Sequence, residues 1–86
     1  MPEKTEKITV YATEWCPDCK RVKFFFKRKK IEINWINIDE NKEASDYVVK
    51  LNKGNRSVPT IVFPDGSVLV EPNTKTLEEK LKGFLS

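Results

Sequence analysis

Histidine is missing from this 86-residue chain, and cysteine occurs only twice. A mononuclear zinc site needs about four ligands, so one chain would have to recruit carboxylates or a second copy to build it. Any proton transfer is left to carboxylates, a cysteine or water. Glycine is also scarce, at three residues, and there are no internal repeats, linkers or low-complexity segments. Residues 1–86 therefore read as one compact domain, near the lower size at which a core forms unaided. Long apolar runs are absent as well, which excludes a membrane span. The opening residues, 1–7, are charged and carry no apolar segment of the secretory type. A cytoplasmic location is the expectation.

Charge is present but unevenly spread. The net charge is +3, yet Lys20, Arg21, Lys23, Lys27, Arg28, Lys29 and Lys30 crowd one segment that holds no acidic residue, while the rest of the chain is net negative. Such a basic run is usually a solvated helix face, and no aromatic residues are interleaved on that face in a way that would stack bases. Nucleic acid is therefore not expected as a partner. An acidic protein docking on Lys20, Arg21 and Lys23 fits better.

Both cysteines lie in Trp15-Cys16-Pro17-Asp18-Cys19, directly after an apolar strand and directly before a helix. With Cys16 at the helix mouth, Pro17 takes the first helical position, where its fixed φ fits and its missing N–H costs nothing. The N–H groups of Asp18 and Cys19 then lack intrahelical partners and turn toward the Cys16 sulfur, so hydrogen bonding and the helix dipole both favour a thiolate. Cys16 is the expected nucleophile. Cys19, one turn further in, is expected to be more buried, less acidic and in reach of a mixed disulfide formed at Cys16. A structural disulfide this short would constrain the unfolded chain little. A C-x-x-C at such a junction reads most directly as a dithiol redox site.

The remaining chain alternates strands and helices. Residues 7–12 read as a central strand, and 17–30 as a helix with Val22, Phe25 and Phe26 as its buried stripe and Phe24 off it. Residues 31–39 read as a second strand, parallel to the first, with Ile33 and Trp35 on one face and Ile36 and Ile38 on the other. A second helix spans about 41–53, with Ala44, Tyr47, Val48 and Leu51 at i, i+3, i+4 and i+7 and Gly54 as its left-handed end. A strand at 58–63, a Pro64-Asp65-Gly66-Ser67 turn and a strand at 68–70 form a hairpin. The last helix starts at Pro72-Asn73-Thr74, with Leu77, Leu81, Phe84 and Leu85 as its stripe. The order is βαβαββα. At Val58-Pro59 the residues alone leave a cis bond and an ordinary trans proline at a strand start both open.

Cys16-Pro17-Asp18-Cys19, Ser57-Val58-Pro59-Thr60 and Asp65-Gly66-Ser67, in so short a chain, resemble the glutaredoxins. Trp15-Cys16, Gly54-Asn55-Arg56-Ser57-Val58-Pro59-Thr60 and the Pro72-Asn73 helix start resemble in particular the mycoredoxin branch. The resemblance runs from about Ile8 to Leu85. It implies an α/β fold of the minimal thioredoxin type, a four-stranded mixed sheet flanked by three helices, in a monomer. It also implies a cis bond before Pro59, beside the cysteines, with the Val58 backbone available to an extended disulfide substrate. Trp15 borders the same surface.

Two departures bear on the substrate. Glutathione-binding glutaredoxins usually carry a lysine where this chain has Thr13, and a Gly-Gly pair where it has Val70-Glu71-Pro72. Arg56 and the helix start at Asn73 and Thr74 remain as candidates to hold a substrate carboxylate. Asp18 should raise the Cys16 pKa and Lys20 and Arg21 should lower it, so Pro17, Asp18 and Lys20 tune the site. The redox potential is expected roughly between −200 and −270 mV. The implied activity is thiol–disulfide exchange on disulfide-containing proteins or small mixed disulfides. It needs no organic cofactor or metal, and a low-molecular-weight thiol such as glutathione or mycothiol serves as co-substrate. A thioredoxin-like donor served by a reductase is the alternative within the same chemistry, and an iron–sulfur or metal carrier the alternative outside it.

Overall fold

A computed structural model describes residues 7–85, of which Phe84 and Leu85 are described in backbone only. Strand β1 (Ile8–Ala12) leads into helix α1 (Pro17–Arg28), strand β2 (Ile33–Asn37) and helix α2 (Lys42–Leu51). Strands β3 (Thr60–Val62) and β4 (Val68–Val70) and helix α3 (Thr74–Leu85) complete the order βαβαββα. The sheet runs β2-β1-β3-β4. β1 pairs β2 in parallel and β3 antiparallel, and β3 pairs β4 antiparallel. The mixed sheet and the central place of β1 are as expected.

Alternation along β1 divides the core in two. Ile8, Val10 and Ala12 face α1 and α3, packing with Cys19, Val22, Phe25, Phe26, Leu77 and Leu81. The opposite face meets α2, where Ile38, Ala44 and Val48 pack with Tyr11, Ile36 and Val58. Ile33 and Trp35 join the first layer and Ile36 and the following Ile38 the second, with the side chains of β2 itself only partly buried. The Phe84 and Leu85 part of the last stripe lies outside the described side chains.

Helix ends differ from expectation. α1 stops at Arg28, and Ile31 donates its N–H to Phe26 O at 3.0 Å while Lys30 donates to Lys27 O at 3.0 Å. These two bonds close a Schellman motif, which puts Lys30 at φ 59°. α2 ends in the same way: Gly54 donates to Val49 O at 2.8 Å, and Lys53 sits at φ 54°. The left-handed cap of α2 is therefore Lys53, with Gly54 (φ 102°) the residue after it. A Cβ in this region costs about 1–2 kcal/mol, partly offset by the greater freedom a glycine loses on folding. Lys30→Gly and Lys53→Gly are each expected to stabilise the domain by about 0.5–1 kcal/mol, read as a higher urea midpoint at constant slope.

In the β3–β4 hairpin, Gly66 (φ 92°) donates its N–H to Phe63 O at 2.9 Å and Phe63 donates to Ser67 O at 2.9 Å. Asp65 accepts from the Ser67 N–H and hydroxyl and from Lys80, which together hold its carboxyl down at about 2.

Candidate active site

Cys16 is the N-cap of α1, with extended backbone (φ −84°, ψ 118°) and Pro17 as the next residue. Its Sγ accepts the Cys19 N–H at 3.2 Å, and its carbonyl accepts the Lys20 N–H at 3.1 Å. A sulfur occupying the cap position of a Ser or Asp thus receives an amide that the helix cannot satisfy. The expected second contact, from the Asp18 N–H, is not among the bonds formed. Both cysteines are free thiols, Cys16 6% exposed and Cys19 fully buried.

Cys19 is held protonated. Burial is the main cause, followed by the side-chain hydrogen bond with Cys16; the Cys16 and Asp18 charges add to it and the Thr13 N–H opposes, leaving the thiol pushed up to about 12 from an ordinary 9.0. The native state thus keeps a proton that the unfolded chain loses above pH 9. Stability from this group is complete below pH 9 and is lost as pH rises toward 12, at up to about 1.4 kcal/mol per pH unit. Denaturant unfolding of the reduced protein between pH 8 and 10.5 should show this decline, and Cys19→Ala should flatten it by that amount.

Opposite the cysteines, the Val58–Pro59 peptide is cis, as the resemblance implies. The Cys16 thiol donates to Val58 O at 4.0 Å, and Pro59 is buried. Pro59 O accepts the Glu71 N–H at 2.8 Å. Arg21 fastens the same β4–α3 segment, donating to Pro72 O at 3.0 Å and Thr74 Oγ1 at 3.2 Å, with Asp18 3.7 Å away. The first turn of α1 and the loop behind Pro59 are thereby tied together.

Trp15 is 66% exposed beside Cys16, yet its indole N–H donates to Asp39 at 3.0 Å. The other oxygen of Asp39 accepts from Arg56 at 2.5 Å, and Arg56 Nε donates to Ser45 at 3.1 Å. The Arg56 and Trp15 bonds hold the Asp39 carboxyl below the usual range.

The candidate substrate contacts are therefore differently placed. Cys16 faces Val58, and Trp15 precedes it in the chain with an exposed side chain. Thr13 is fully buried, its hydroxyl without a hydrogen-bond partner among the described residues. Arg56 is engaged by Asp39 and Ser45. Asn73 accepts the Thr76 N–H at 2.8 Å as the cap of α3, and Thr74 accepts from Arg21. Lys20 and Asp18 are exposed on the first turn. Asp39 and the clamping role of Arg21 were not legible beforehand. The one signal for Asp39 is its position just past the C-terminal end of a parallel strand, where α/β sheets gather functional groups. Among the described residues no group of three or more Cys, Asp or Glu side chains is gathered to hold a metal ion.

A four-stranded mixed sheet, a cysteine pair opening its first helix and a cis-proline facing that pair define a thioredoxin-fold dithiol protein. The glutaredoxin family model matches residues 8–69. A Mycobacterium tuberculosis protein named as a glutaredoxin is 38% identical over 77 residues, covering 90% of this chain and 92% of its own. Mycoredoxin 1 of Corynebacterium glutamicum is 35% identical over 77 residues, covering 90% and 95%. The crystal structure of a glutaredoxin from Archaeoglobus fulgidus superposes with a TM-score of 0.70 at 29% identity, covering 87% of this chain and 85% of that one. The chain belongs to the glutaredoxin family, and its general activity is thiol–disulfide oxidoreduction.

Proposed function

We propose that this protein reduces protein or low-molecular-weight mixed disulfides through Cys16, with Cys19 as the resolving thiol. The observation that carries this reading is the Cys16 sulfur at the helix cap, receiving the Cys19 amide while facing the Val58 carbonyl. The Cys16 thiolate attacks one sulfur of the substrate disulfide; a new S–S bond forms, the old one breaks and the reduced substrate leaves as a thiolate. The Cys19 thiol then gives up its proton to water or a carboxylate and attacks the Cys16 sulfur. The second substrate thiolate is expelled, and the two cysteines end as a disulfide.

Acidity is timed to this sequence. The hydrogen bond and the charge of Cys16 both raise the Cys19 pKa, and both vanish once Cys16 is bonded to substrate. The Thr13 N–H, which acts the other way, remains. Cys19 therefore becomes a better nucleophile only after the mixed disulfide exists.

Regeneration follows the thioredoxin-like route, by a reductase, more readily than the glutathione route. The observation favouring it is that Arg56 and Thr74, the groups suited to a substrate carboxylate, already have protein partners. Wild type should thus turn over a protein disulfide with NADPH and a thioredoxin reductase faster than with glutathione or mycothiol at equal reducing power. Equal or faster turnover with either small thiol, from the same protein preparation, would assign the thiol-fed route instead. The proposed setting is the cytoplasm; among the described residues no helix is long and apolar enough to cross a membrane.

A further inference from the structure

Away from the cysteines, between the second half of α1 and strand β2, the surface sinks into a cavity of about 380 Å³ lined by Lys23, Phe26, Lys27, Ile31, Ile33 and Trp35. Four of these side chains are apolar, two are cationic and none is acidic. Lys23 holds its ammonium 4.7 Å from the centroid of the Trp35 ring, so positive charge lies over the apolar floor. The Trp35 indole N–H is buried with no hydrogen-bond partner among the described residues. Beyond the rim, Phe24 is 61% exposed, with the Arg28 guanidinium 5.9 Å from its ring.

Among the described residues the backbone beside the cavity also has an open edge. β2 is an end strand of the sheet. Ile38 donates its N–H to Ala12 O at 2.9 Å, and in a parallel ladder alternate residues turn to the same neighbour. Asn34 and Ile36 therefore face β1, while Ile33 and Trp35 turn their N–H and C=O groups to the open edge. Asn37 faces the same edge but gives its carbonyl to the Glu40 N–H at 3.1 Å, which leaves Ile33 and Trp35, both lining the cavity, to offer full backbone pairing to a fifth strand.

We propose that this edge and cavity bind an extended acidic peptide segment of a partner protein. The segment pairs with Ile33 and Trp35 by strand addition. One bulky apolar side chain rests on Ile31, Ile33 and Trp35, above the buried Phe26, and carboxylates two residues to either side reach Lys23 and Lys27. Charge decides the occupant: the segment from position 20 to 30, which runs through α1 and the turn after it, carries seven cations and no anion. A nucleic acid would meet those cations but leave the apolar floor and strand edge unused. A fatty acid would fill the floor and leave the edge unused. Since α1 is capped by Cys16 and is about 18 Å long, a partner held at its far end stays tethered near the nucleophile without covering it, which raises its local concentration there.

The test uses the full, reduced, ¹⁵N-labelled chain titrated with the peptide acetyl-Thr-Asp-Thr-Phe-Thr-Asp-Thr-amide and followed by NMR. Expected are saturable shifts of the Ile33 and Trp35 amides and of the Trp35 indole N–H, with slowed hydrogen exchange at both amides. Affinity should fall about tenfold in a Lys23→Glu/Lys27→Glu variant whose other resonances are unmoved. It should fall similarly when the peptide aspartates become lysines, and strand pairing should be lost when the peptide amides flanking its phenylalanine are methylated. The proposal is overturned by no saturable shift at millimolar peptide, by shifts confined to Cys16 and Val58, or by indifference to peptide methylation. It is equally overturned if dodecanoate or a single-stranded oligonucleotide saturates these resonances and the peptide does not.

Discussion

Replacing Cys16 with serine is expected to reduce mixed-disulfide reduction by more than about a thousandfold, under every reductant supplied. The hydroxyl cannot form the mixed disulfide on which the reaction depends, and no second thiol is near the surface, since Cys19 is fully buried and held protonated. Cys19→Ser should behave differently. Its Cys16 keeps the amide cap, because the bond comes from the Cys19 backbone rather than its side chain. The variant should therefore still attack substrate and then stall as a Cys16 adduct, detectable by intact mass. Excess external thiol should clear that adduct, whereas a reductase acting on the internal disulfide should not. A Cys19→Ser protein that turns over freely with the reductase alone would remove Cys19 from the mechanism.

Among substitutions far from the sulfurs, Phe26→Ala should have the largest effect on stability. Phe26 is fully buried under α1, edge-on to Phe25 at 5.5 Å, within the layer that joins α1 and α3 to the sheet. Loss of such a side chain costs about 3–5 kcal/mol in transfer and cavity terms, comparable with the whole stability of many small domains. Two residues earlier, Phe24→Ala should change stability by no more than about 0.5 kcal/mol, because that ring is mostly exposed. Urea unfolding of the pair compares one residue type at two adjacent positions of one helix. A near-equal loss in both would mean that α1 is rotated from the orientation described.

That orientation was legible because helical spacing alone separates Val22, Phe25 and Phe26 from Phe24. The division of β2 side chains between two layers followed in the same way from strand alternation, although they are only partly buried, and the cysteine junction followed from local capping chemistry. What sequence spacing could not supply were contacts made only after the chain closes on itself. Trp15 and Asp39 are 24 positions apart, and Arg21 and Thr74 are 53 apart. Neither pair exists until β2 lies beside β1 or α3 packs on α1. Arg56 illustrates the consequence: read locally it is a cation in a loop, yet the fold supplies it with an acceptor from the end of β2. Element ends were also read too long. Strand pairing covers only Ile33–Asn37 of β2, and chain reversal ends both α1 and α2 at a lysine rather than a glycine.

The two tryptophans stand in unlike surroundings, one just before the reacting cysteine in the chain, mostly in water and tied to Asp39, the other partly sunk under a lysine ammonium beside the β2 edge. An exposed indole emits to the red of a sheltered one, so the protein's own fluorescence divides into two spectral components. The red component is expected to respond to oxidation of the neighbouring cysteine, and the blue component to a peptide bound at the cavity. Both ends of α1 are thus observable in one spectrum, without a dye or a label.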